Sequence, residues 1–149
     1  MKKSSTPWQD KLHKNQPPVI KEGPAKWNER FGGVRMLIAN PEIVCEKIRT
    51  IPRGDVMTIK ELRESLAADF DADYTCPLTT GIFLRIAAEA AEEMNVTGTD
   101  SEIPWWRVIP DDHILNTRLP GKAILQAKRL TNEGLKINVK DFVTFKVLL

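Results

Sequence analysis

Between residues 40 and 94 three helix signals follow one another, separated by two different breaks, and that order most limits how the chain can fold. Asn40 can cap a helix and Pro41 suits its first position. Ile43, Val44, Lys47 and Ile48 share one face, which predicts a helix over 40–50. Ile51-Pro52-Arg53-Gly54 ends it; Gly54 supplies the turn, and Asp55, Val56 and Met57 can form a short strand. Thr58 with Glu61 three residues on makes a capping box for a second helix, whose buried side is Leu62 and Leu66. The polar, acidic stretch 69–75 reads as a loop. A third helix is predicted over 77–94, where Leu78, Ile82, Leu84, Ile86, Ala87 and Ala90 recur at helical spacing.

Downstream, 95–102 reads as a loop containing Gly98. Val108-Ile109 and His113-Ile114-Leu115 flank Pro110-Asp111-Asp112, a pattern for a turn or small wing. A helix over 119–132 is ended by Gly134, and 139–147 alternates like a terminal strand. Helix, short strand, helix, loop, helix and turn-linked wing together predict a mostly α fold with a small β wing, a winged helix-turn-helix.

The 149 residues suffice for one ordinary core. No run of about 18 apolar residues exists, which argues against a membrane-spanning helix. The first residues, MKKSSTPWQDKLHK, lack the apolar stretch of a secretory signal. Cys45 and Cys76 make neither a disulfide framework nor, with His13 and His113 far apart, a metal site, so no metal or cofactor is expected and a reducing cytoplasm fits. Charge is unevenly placed. Residues 1–36 carry eight Lys/Arg against three acids, and the remainder carries 14 against 17. Residues 1–35, with Pro7, Pro17, Pro18 and Pro24 and no periodicity, read as an extended basic arm that can contact phosphates, or as a solvated tail. Trp8, Trp27 and Phe31 are expected to tack it onto a body spanning 36–149.

The strip IPWWRVI, residues 103–109, resembles the P-C-H-R-V active-site motif of the O6-alkylguanine-DNA alkyltransferases. Pro104, Arg107 and Val108 match; Trp105 stands at the cysteine position and Trp106 at the histidine position. Three further stretches agree in the same order. IRTIPRGDVMTIKEL (48–62) is similar to the family's I-P-x-G-x-V-x-T-Y approach to the helix-turn-helix. Pro77 and Gly81 stand where the family has P-R-A-V-G at the start of its recognition helix. LPGKAILQAKRLTNEGL (119–135) is close to its tail helix, with Pro120, Gly121, Gln126, Leu130, Glu133 and Gly134 matching. Alkyltransferase-like proteins, in which tryptophan replaces the reactive cysteine, are the members this chain most resembles.

That resemblance implies an alkyltransferase C-terminal-domain-like fold and a monomer that binds double-stranded DNA, alkylated or not, with downstream repair proteins as possible partners. It implies a lesion pocket at Pro104, Trp105, Trp106, Arg107, Val108 and Glu133, and DNA contacts by Thr58, Leu78, Thr79, Thr80, Gly81 and Arg85. Beyond Trp105 and Trp106, two positions depart from the family. Its tyrosine is Ile59 here, and its arginine finger falls on Leu78, which could still wedge between base steps. No catalytic residue is expected, because alkyl transfer needs a thiolate and an indole is no substitute. Cys76 precedes the helix at Pro77, where the dipole favours a thiolate, but no base stands beside it in sequence; Cys45 reads as a small apolar residue. On this reading Trp105 offers a flipped base a stacking face, and nothing covalent follows. The alternatives are a winged-helix DNA binder or a protein-interaction module without lesion recognition. Glu89, Glu92 and Glu93 on the third helix would repel phosphate if they faced it.

Overall fold

The computed structural model describes residues 7–14, 16–96, 103–115, 118–141 and 144–149. Three helices carry the core: α3 (Pro41–Arg49), α4 (Ile59–Asp69) and α5 (Pro77–Val96). Their ends are written locally. The Asn40 side chain accepts from the Ile43 backbone N–H at 2.7 Å, with Pro41 at the first helical position. Thr58 and Glu61 close the reciprocal capping box expected of α4. Val44, Ile48, Leu62, Leu66, Leu84, Ala87 and Ala90 meet in one core around Trp105. The alanines let α5 lie close to its neighbours. Leu78 and Ile82, expected with that apolar stripe, instead face outward.

Segment 1–35 departs from the expected extended arm. Residues 8–31 hold α1 (Trp8–Leu12), β1 (Val19–Glu22) and α2 (Ala25–Phe31). β1 pairs antiparallel with β2 (Arg35–Ile38), Val19 opposite Ile38, so the sheet crosses the expected boundary at 35 and 36. The segment lacks periodicity because it is ordered by partners distant in sequence. Trp8 packs on the main core, and Trp27 and Phe31 pack on Met36, Tyr74 and Cys76, as the aromatic residues suggested. Residues 1–6, with Lys2 and Lys3, lie outside the described residues.

Strand pairing supplies the remaining differences. Tyr74–Thr75, expected within a loop, forms β4 and pairs parallel with β2. The short strand after Gly54 is β3 (Met57–Thr58), one or two residues later than expected. It pairs parallel with β5 (Val108–Ile109), Met57 opposite Val108. A wing made by 108–109 and 113–115 is therefore not formed. Pro110 to His113 do turn, but Ile114 bridges to Lys146. The helix expected over 119–132 begins only at Ile124, as α6 (Ile124–Asn132), because Gly121, Lys122 and Ala123 all take positive φ and hold the chain in a turn. Its end at Gly134, φ +93°, is as expected. The terminal strand proves to be a hairpin, β6 (Lys136–Lys140) with β7 (Thr144–Leu148), reversing near Asp141 at φ +56°. The helical part of the expected 95–102 loop reaches Val96; 97–102 lie outside the described residues. Among the described residues no helix is long and apolar enough to cross a membrane.

Candidate nucleic-acid interface

Residues Trp105–Arg107 form one turn of 3-10 helix between α5 and β5. The turn carries Trp105 wholly inside, with 0% exposure, and leaves Trp106 half-buried. The rings meet edge to face, centroids 6.1 Å apart. Each indole N–H reaches a carboxylate: Trp105 Nε1 donates to Glu92 Oε2 and Trp106 Nε1 to Glu133 Oε2, both at 2.9 Å. Each carboxylate also holds an arginine. Arg129 donates to both oxygens of Glu92 at 2.7 and 2.8 Å. Arg107 donates to both oxygens of Glu133 at 2.9 Å and to the Ile51 carbonyl at 2.7 Å. These are the carboxylate and carbonyl partners an interior arginine requires. Buried Gln126 donates to the Trp106 and Val108 carbonyls and fixes the strip from behind.

Burial alone would raise the pKa of Glu133 and of Glu92. In Glu133 the hydrogen bonds from Arg107 and Trp106 and the Arg107 charge outweigh it, so the carboxyl titrates below its usual range. In Glu92 the bonds from Arg129 and Trp105 and the Arg129 charge do the same. Both acids are therefore held as partnered carboxylates. The strip is a closed network. Pro104, Trp105 and Val108 are buried, so Trp105 offers no stacking face here, contrary to the sequence expectation. A strand would have divided the two indoles between opposite faces; the 3-10 turn packs one inside the core instead.

The open surface lies on the first turns of α5. Leu78 is 64% and Ile82 50% exposed, and Gly81 and Arg85 are exposed beside them. A methyl group at Gly81 would meet nothing within 4 Å, which excludes close helix packing as the reason for glycine. Thr79 is half-buried. Thr80 is turned inward, its hydroxyl donating to the Cys76 carbonyl at 2.7 Å, so it is corrected from DNA contact to helix support. Thr58 is committed to capping α4.

Ile59, Leu78, Gly81, Ile82 and Arg85 line a cleft of about 640 Å³ together with Trp8 and Lys11 of α1 and with Arg118 and Leu119. The α5 acids do not enter its lining. Glu89 pairs with Arg85, Glu92 with Arg129, and Glu93 accepts from the backbone N–H groups of Trp8 and Gln9. Both thiols lie inside the fold. Cys76 is buried, and burial pushes Cys45 up to about 12.

The structure brings Arg107, Glu133 and the two indoles together, and separately gathers Leu78, Gly81 and Arg85. Sequence reasoning missed Glu92 and Arg129, which complete the first group, and Trp8, Lys11, Arg118 and Leu119, which complete the second. Two signals were available: acids on the otherwise apolar 77–94 helix, and a tryptophan beside lysine in a polar segment.

No protein-family model and no curated protein sequence matches this chain. Among solved structures it is similar to the S. pombe ATL in complex with DNA, at 21% identity and a TM-score of 0.53, over 73% of this chain and 88% of that one. It is also similar to S. pombe Atl1 in complex with damaged DNA containing O6-carboxymethylguanine, at 22% identity and a TM-score of 0.48, over 71% and 85%. The architecture of this chain, about half helical with a few small strands, is thus the alkyltransferase-like fold.

Proposed function

We propose that this protein binds double-stranded DNA along the outward face of α5 and holds an extruded O6-alkylguanine in the adjoining cleft, without transferring the alkyl group. The observation that carries this is the cleft itself: exposed Leu78, Gly81 and Ile82 flanked by Lys11, Arg85 and Arg118. Cations position a phosphate backbone, and an apolar side chain can wedge between base steps. Leu78 occupies the position of the resembling family's finger, so it is the wedge in this reading. The alkyltransferase-like fold accords with DNA as partner. Absence of alkyl transfer is supported by Trp105 at the thiol's position and by burial of both cysteines.

The test is binding to matched duplexes carrying guanine or O6-methylguanine at one stated salt concentration, with the methyl group labelled. Both duplexes should bind, the lesion by about tenfold more, ~1.4 kcal/mol, and the label should stay on the DNA. Stoichiometric transfer to protein would overturn the non-enzymatic reading. Equal affinity for the two duplexes would leave DNA binding without lesion recognition. One observation favours that second reading: the strip that resembles the family's site is closed, with Trp105 wholly buried.

A further inference from the structure

We propose that α1 is a second DNA-contacting element, in which the Trp8 ring positions Lys11 and Arg85 as a paired phosphate clamp at the lip of the cleft. The proposal rests on the DNA-binding reading above. Lys11 Nζ lies 4.2 Å and Arg85 Cζ 5.3 Å from the centroid of Trp8. Cations are attracted to an indole face at such distances. Lysine and arginine side chains on separate helices are thereby gathered on one rigid ring, and all three line the cleft that Leu78, Gly81 and Ile82 border.

α1 has only five residues and cannot be stable alone. It is tied to α5 by Glu93, whose two oxygens accept from the backbone N–H groups of Trp8 and Gln9, each at 2.9 Å. Leu12 is buried in the main core and anchors the other end. Glu93 thus acts as a tether: an acid on α5 holds α1, with its Asp10 and Lys11, against α5. Lys11 and Arg85 contact phosphate, Trp8 positions them, and Glu93 fixes α1.

The experiment measures duplex affinity of the full chain by fluorescence anisotropy across a salt series. Each lost phosphate contact should reduce the slope of log K against log salt by about 0.9. Lys11→Ala should lower the slope by about that amount. Trp8→Ala should lower it by one to two such steps, whereas Trp8→Phe, which keeps an aromatic face, should retain most of the wild-type slope. Glu93→Ala separates the tether from bulk electrostatics. It makes the protein more positive, so charge alone predicts tighter binding; release of α1 predicts weaker binding and a shallower slope.

An unchanged slope for Lys11→Ala, or tighter binding by Glu93→Ala at the wild-type slope, would overturn the clamp while leaving DNA binding intact. Failure of the wild type to bind any duplex would overturn the DNA-binding reading and the clamp with it. Circular dichroism of each variant excludes unfolding as the cause. Should Trp8→Ala unfold, Lys11→Ala and Glu93→Ala still decide the question.

Discussion

Glu133 shows how a single carboxylate decides what the strip can do. Its side chain is 4% exposed and that of Arg107 14%, so each buried charge depends chiefly on the other. Glu133→Ala leaves a buried guanidinium without its partner. The expected loss is about 3–5 kcal/mol, read from urea denaturation. The pH dependence has a definite sign. Glu133 and Glu92 titrate below their usual range when folded, so the unfolded chain binds more protons as the medium acidifies. Their contribution is whole above the unfolded carboxylate pKa, about 4.3, and is lost as pH falls through the lowered folded values. Stability should therefore fall steeply below about pH 4, and Glu92→Gln should flatten that fall. A profile as steep in the variant as in the wild type would mean that other acids carry the dependence. Trp105 belongs to the same structural unit. Trp105→Ala should destabilise by ~3–5 kcal/mol, so a binding defect in that variant would reflect lost folding.

Among the elements, α5 has two jobs along one length. Its inner side supplies Leu84, Ala87 and Ala90 to the core, while its first turns expose Leu78, Gly81 and Ile82. Gly81 belongs to the exposed part, with open space around it. Gly81→Ala should therefore stabilise the protein by ~1 kcal/mol, because alanine is the better helix former. If the face approaches DNA closely, Gly81→Leu should weaken duplex binding without loss of stability. Full duplex affinity in a stable Gly81→Leu would show that DNA does not approach here. The α4 cap gives a simpler check: Thr58→Ala should cost ~1 kcal/mol in chemical denaturation, with helix order otherwise kept. Helices with local signals were legible in the sequence for this reason. Asn40-Pro41 and Thr58 with Glu61 state their own boundaries. Strands were less legible because their partners are remote: Val19 meets Ile38, Tyr74 meets Met36, and Val108 meets Met57. Helix α6 was overextended because nothing in Lys122 or Ala123 announces positive φ.

For the whole molecule, two centres that the sequence joined are separate in the structure. The strip at Trp105–Arg107 is a locked hub joining α5, α6 and β5 through two arginine–carboxylate pairs. The cleft, by contrast, is lined by α1, the start of α5, Ile59 and the Arg118-Leu119 turn. The motifs placed Arg107 and Glu133 in one site, and the structure shows them paired. The pairing of Glu92 with Arg129 was not legible, because 37 residues separate them, Glu92 lies outside the quoted stretches and Arg129 is not one of the matching positions in its own. The N-terminal segment was legible as charge but not as place: only the folded chain shows Lys11 beside Arg85 on one ring.

The central claim is that the outward face of α5 binds DNA. Ile82 tests it most directly, since its side chain is half exposed and a carboxylate there would face any bound phosphate backbone. The decisive measurement is the affinity of wild type and Ile82→Glu for one duplex at one salt concentration. The account predicts wild-type binding and a loss of at least about tenfold, ~1.4 kcal/mol, in the variant, with the unfolding midpoint unchanged. Equal affinity of a folded Ile82→Glu would contradict it.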